Sequence, residues 1–169
     1  MATRRTAIRA LSICALSFAF ILAGAPAPVA AAPMEPVEVS ATGALSSDRH
    51  MATVDVTLTC PVLVPQSVID GGEAYGYQGS LQFQMTQAQG RLLVRSDLRS
   101  ESVCSPEIAE QGDTYTATVT ATAKGTFKSG RAGFVADIRI CAWFWDGIDD
   151  WVTTCGYQQA ATTVRLRPL

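Results

Sequence analysis

Thr114-Tyr115-Thr116-Ala117-Thr118-Val119-Thr120-Ala121-Thr122 decides the fold of this 169-residue chain. Threonine alternates with an apolar or aromatic residue at a strict period of two. Successive side chains of an extended chain point to opposite faces, so one face is wet and β-branched while the other is apolar. The same period runs outward in both directions. Upstream, Val54, Val56, Leu58 and Cys60 alternate with Thr53, Asp55, Thr57 and Thr59, and Leu81, Phe83 and Met85 alternate with Gln82, Gln84 and Thr86. Val37, Val39 and Ala41 repeat it near the start, before the Ser46-Ser47-Asp48 turn. Downstream of Gly125, Gly130 and Gly133 a strand is expected over Phe134 to Trp145, and a last one over Thr162 to Leu166. Seven or eight short strands separated by turn residues predict an all-β, antiparallel sandwich or barrel. Helix is expected for one turn only, around Pro106 to Glu110.

The N-terminus has a different character. Arg4, Arg5 and Arg9 precede an apolar run from Ala10 to about Ala25, followed by Val29-Ala30-Ala31-Ala32. Basic start, short apolar middle and small-residue exit are the parts of a secretory signal, expected at 1–31 with cleavage after Ala31. The run is shorter than the roughly 20 residues that span a bilayer as a helix, so no membrane association is expected once the leader is removed. A disordered lead-in is expected at 32–36 and a single domain at 37–169. Three of the thirteen basic residues lie in the leader and all fifteen acidic ones follow it, which leaves the remainder net acidic. An acidic surface without a Lys/Arg stripe argues against nucleic acid, whose binding needs phosphate neutralisation.

Cys14 belongs to the leader, so export leaves Cys60, Cys104, Cys141 and Cys155, an even set suited to an oxidising compartment. Cys141 and Cys155 flank the turn chemistry of Asp146-Gly147-Ile148-Asp149-Asp150. If they face each other across a hairpin, Trp145 stands opposite Trp151 and Trp143 opposite Thr153. That register favours Cys141–Cys155 with Cys60–Cys104. The rival pairing Cys60–Cys141 would instead staple two sheets together.

The stretches Val54 to Cys60, Phe83 to Gln87, Tyr115 to Ala121 and Phe127 to Ala132, together with Cys104, resemble short exported actinobacterial proteins of immunoglobulin-like fold and unassigned activity. The resemblance implies an immunoglobulin-like sandwich and carries no catalytic residues. Val56 to Pro61 is similar to bacterial subtilisin inhibitors, but the nearby second cysteine of those inhibitors is missing. Cys141-Ala142-Trp143 resembles a motif of neocarzinostatin-like carriers, placed later in the chain.

Chemistry is sparse. His50 is the sole histidine, beside a turn and without a Gly-x-Ser-x-Gly elbow, and reads as an exposed turn residue. Paired cysteines leave no thiolate for nucleophilic work or zinc. Glu101, Glu107, Glu110 and Asp113 read as solvated loop. No catalytic residue, metal or cofactor is expected. One cluster stands out: Trp143, Trp145 and Trp151 with Asp146, Asp149 and Asp150. Aromatic rings rimmed by carboxylates suit a sugar or partner surface, whereas a cross-strand pair packed over a disulfide would account for them structurally. The expectation is a secreted, non-enzymatic domain that binds an extracellular ligand or protein. The alternative is an enzyme inhibitor or hydrolase accessory.

Overall fold

The structure, a computed structural model, describes residues 34–145, 147 and 150–169. The leader with Cys14, the start of the lead-in, and Asp146 and Asp149 lie outside the described residues. Met34, assigned to the lead-in, is half-buried against the core.

Strands occupy 63% of the described chain, well above the third that alternation alone demands. They are β1 (Glu38–Val39), β2 (Thr42–Leu45), β3 (Met51–Thr59), β4 (Tyr75–Gln89), β5 (Leu92–Arg95), β6 (Arg99–Val103), β7 (Thr114–Thr122), β8 (Gly130–Trp145) and β9 (Trp151–Pro168). The one helix among the described residues, α1 (Gln66–Asp70), follows Pro65 and stops at Gly71-Gly72. The expected helical turn at 106–110 is corrected. That segment forms a turn in which Ser105 accepts from the amides of Ile108 and Ala109.

The expectation of purely antiparallel sheets is also corrected. All nine strands join one open mixed sheet, in the order β1-β3-β2-β9-β8-β4-β5, with β6 also on β4 and β7 also on β3. The mixed element is β2, antiparallel to β3 at Ala44–Thr53 yet parallel to β9 from Thr42–Arg165 to Leu45–Pro168. Gly43 permits this double duty. A Cβ there would lie 2.7 Å from the Thr53 carbonyl oxygen and 3.1 Å from a Leu166 methyl.

Period-two burial then builds the core. Ala52, Val54, Val56 and Leu58 of β3 and Val119 and Ala121 of β7 point inward. So do Leu81, Phe83 and Met85 of β4, the even-numbered residues of β8 from Ala132 to Phe144, and Val164 and Leu166 of β9. All belong to one apolar cluster, with Phe83 stacked on Phe134 at 6.1 Å. A sheet with one apolar face and no covering helix layer buries that face only by folding over on itself. Opposite the β2 junction, the buried Ser96 stitches the fold a second time. It bridges to Ala123, and its hydroxyl accepts from the Met85 amide at 2.9 Å.

Polar side chains lock the loops to this frame. His50 is half-buried, and its Nδ1 reaches the carbonyls of Ala123 and Gly125 at 3.3 and 3.2 Å, a tether where an exposed turn residue was expected. Gln87 is buried with its amide satisfied on both sides: Nε2 donates to Lys128 O and Oε1 accepts from Lys128 N, both at 2.7 Å.

Tyr77 and Tyr115 make a contrasting pair. The Tyr77 hydroxyl donates to Pro61 O at 2.9 Å, whereas the Tyr115 hydroxyl is buried without a hydrogen-bond partner. Burial raises both, Tyr115 to about 12 against an opposing pull from the Cys104 backbone, and Tyr77 further, the latter also through the neighbouring Tyr115. Tyr77→Phe should therefore cost about 1–2 kcal/mol, because it orphans a buried carbonyl, while Tyr115→Phe should be neutral or stabilising. Urea denaturation of both variants checks this, and the reverse ranking would refute it. Since the folded state holds these groups protonated, the unfolded chain ionises first. Stability is complete below the ordinary tyrosine value of 10.0 and falls as pH rises above it.

Candidate aromatic face on the β4–β8–β9 sheet

The outward face of β8 is set by the parity that buries its even-numbered residues. Its odd-numbered side chains, with their partners on β9 and β4, form rungs across three strands. At the hairpin end Trp145 pairs with Trp151, their rings edge-to-face at 6.0 Å and 72°. The next rung is Gly76, Trp143 and Thr153, then Gln78 with the Cys141–Cys155 disulfide. Ser80, Arg139 and Tyr157 follow, then Gln82, Asp137 and Gln159. Successive rungs stand about 6.6–7 Å apart, two residues of strand.

The structure pairs Cys60 with Cys104 and Cys141 with Cys155. Trp143 and Trp151 are 39% and 50% exposed, and Trp145 is half-buried. Trp143 lies flat across Gly76, where any Cβ would collide with its indole. A glycine under an indole is a local device that stabilises a sheet and fixes the ring. One face of Trp143 is thereby occupied. Asp150, exposed, accepts from the Trp151 amide through Oδ1 at 2.8 Å, which orients the turn into β9.

Further along the same face the side chains are ordered by one another. Gln159 Nε2 donates to Asp137 Oδ1 at 2.7 Å. The Arg139 guanidinium stands over the Tyr157 ring at 5.6 Å, a cation–π contact. These residues, with Ser80 and Gln82, line a shallow groove of about 580 Å³. Tyr157 is 56% exposed. Of this half of the face, sequence reading placed Gln82 on the wet side of its strand but did not bring it beside Tyr157 and Gln159, which were missed. The parity of β8 extended through the Cys141–Cys155 register would have found Tyr157 and Gln159.

The acidic residues of the loops do not converge. Asp113 Oδ2 caps the Glu110 amide at 3.2 Å, while Glu101 sits on β6. Among the described residues no group of three or more His, Cys, Asp or Glu stands close enough to hold a metal ion. Nor is any described helix long and apolar enough to cross a membrane.

Fold and face together define an all-β, doubly disulfide-bridged domain with an aromatic and amide-rich outer surface. No protein-family model matches the chain, and no curated protein matches it at a significant level.

Proposed function

We propose that this chain is a secreted, non-enzymatic β-sandwich domain of immunoglobulin-like arrangement that binds an extracellular ligand through the β8–β9 hairpin. The carrying observation is the grouping of Trp143, Trp145 and Trp151 on a solvent-facing side, two of them with large exposed area. Exposed tryptophans on an otherwise polar face are costly in water unless they bind. The immunoglobulin-like reading draws support from the strand partition. β3 and β7 are neighbours in one part of the sheet and β9, β8 and β4 in another, as the B–E and G–F–C strands are in that fold. Two disulfides suit export to an oxidising compartment.

The inhibitor alternative needs an extended loop held by a disulfide. The loop after Cys104 is instead tied back to the neighbouring segment, where the Gln111 amide oxygen accepts from Leu63 N and Val64 N at 3.1 and 3.0 Å. Iodide should quench tryptophan fluorescence strongly in the exported protein. Trp151→Ala should remove binding on a glycan or protein array while the protein stays folded, its melting temperature lowered only as far as loss of the Trp145–Trp151 contact accounts for. Shielded tryptophans, or an array signal unchanged in Trp151→Ala, would remove the hairpin from consideration.

A further inference from the structure

We infer that the binding surface is a track for a neutral glycan chain, running from the tryptophan tip along the outer face of β4, β8 and β9 to the Tyr157 groove. This rests on the binding reading of the hairpin and names its ligand class. The first argument is chemical. A sugar ring presents apolar C–H faces and a rim of hydroxyls that both donate and accept. The track alternates in kind: rings at Trp151, Trp143 and Tyr157, and between and beyond them the amides of Gln78, Gln82 and Gln159. Amides offer both donors and acceptors, and rings offer flat apolar contact.

The second argument is charge. Asp137 and Arg139 are the only charged side chains on the rungs from Gly76 to Gln82, and they cancel. A polyanion or polycation would find no compensating field there. A protein partner fits less well, because the fully buried core of an interface is depleted of charged residues. Beside Tyr157 and Ile138 this groove is lined by serine, glutamine and the charged Asp137 and Arg139.

The third argument is pre-organisation. Gln159 is held by Asp137 at 2.7 Å and Tyr157 by Arg139 at 5.6 Å, so the polar end is ordered before any ligand arrives. The disulfide on the rung between tip and groove ties the two strands of the track at its centre. Side chains ordered in advance lose less entropy on binding. Four rung spacings separate the Trp145–Trp151 pair from the Gln82–Asp137–Gln159 rung, a span of about 27 Å. That length accommodates a chain of several sugars and exceeds a monosaccharide.

The test is calorimetric titration of the exported protein with cello-, xylo- and chito-oligosaccharides of increasing length, with oligogalacturonate as the anionic control. At least one neutral series should bind, with affinity rising with length. Tyr157→Ala and Gln82→Ala should each weaken it about tenfold, the effect expected when a central contact is removed. Tyr157→Phe, which keeps the ring, should retain most of it. Both positions are solvent-facing, and circular dichroism verifies the fold of the three variants. Neutral-glycan binding lost in Trp151→Ala yet unchanged in Tyr157→Ala and Gln82→Ala would overturn the track and leave the hairpin reading standing. Tighter binding of oligogalacturonate than of every neutral series would overturn the neutral class. Failure of all neutral series to bind would overturn the track, and the hairpin reading would then be judged by iodide quenching and the array.

Discussion

Replacing Cys60 and Cys104 together by alanine should lower the stability of the folded domain by about 4 kcal/mol, more than any other pair of changes considered for this chain. The bridge joins the end of β3 to the end of β6 across a sequence separation of 44. In the chain-entropy account that loop restricts the unfolded ensemble more than the separation of 14 closed by Cys141–Cys155, whose loss should cost about 3 kcal/mol. Both Cys60 and Cys104 are fully buried, so the removed sulfurs also leave unfilled space in the core. Cys104 adopts φ 49°, a left-handed conformation that a non-glycine residue holds only where its surroundings fix it. Alanine keeps that backbone demand unchanged, so the measured loss reports the bridge together with the space its sulfurs filled. Urea denaturation of the double variant beside the Cys141→Ala/Cys155→Ala double variant gives the ranking. Equal midpoints for the parent and the Cys60/Cys104 variant would refute the argument, as would a larger loss from the hairpin bridge.

Gly43→Val should be nearly as damaging, costing about 3 kcal/mol or more. A Cβ at this position meets a backbone carbonyl at 2.7 Å and side-chain carbons of Val54 and Leu166 at 3.0 and 3.1 Å. The carbonyl belongs to Thr53 of β3 and faces β2, and β3 cannot retreat from it because its other edge is paired with β7 from Met51–Thr122 to Thr59–Thr114. The alternative is for β2 to move away and lose its parallel pairing with Arg165–Pro168. Overpacking alone costs about 1–3 kcal/mol, and the lost ladder adds to it. A branched side chain removes any escape by rotation. Thermal unfolding followed by circular dichroism should show a lower midpoint, and hydrogen exchange should show the Arg165 and Arg167 amides, which face β2, losing protection first. A variant as stable as the parent would mean that β2 is not held between β3 and β9.

Parts of this arrangement were legible locally. The strand expected over Phe134 to Trp145 carries Phe134, Ala136, Ile138, Ile140, Ala142 and Phe144 at one parity of the sequence, and all six are buried. The hairpin register placed Trp145 opposite Trp151 and Trp143 opposite Thr153, and the pairing across β8 and β9 has those partners. Other parts were hidden for identifiable reasons. The middle of β9 points Thr154, Gly156 and Gln158 toward the inner side. Small and polar residues there erase the apolar alternation, so the strand looked as though it began only at Thr162. The start of β4 was obscured by Gly76 and Gly79, which have the look of turn residues. Both are close-approach positions inside a strand, Gly76 beneath the Trp143 indole and Gly79 against the Val103 carbonyl oxygen at 2.5 Å.

Alternation and turn chemistry determined by themselves the strands β3, β7 and β8 and parts of β4 and β9, which side of each is wet, and how one hairpin closes. These are properties of neighbours in the chain, set by the two-residue repeat of an extended backbone and the reach of a short turn. Tertiary structure alone decided that β2 runs parallel to β9, that β4 lies beside β8, and that Gln82 therefore joins Asp137 and Gln159 on one rung. Lateral order in a sheet depends on which apolar faces can share a core and where a backbone can pass without a side chain. No local period encodes that, and it is why the aromatic tip could be read from sequence while the groove beside Tyr157 could not.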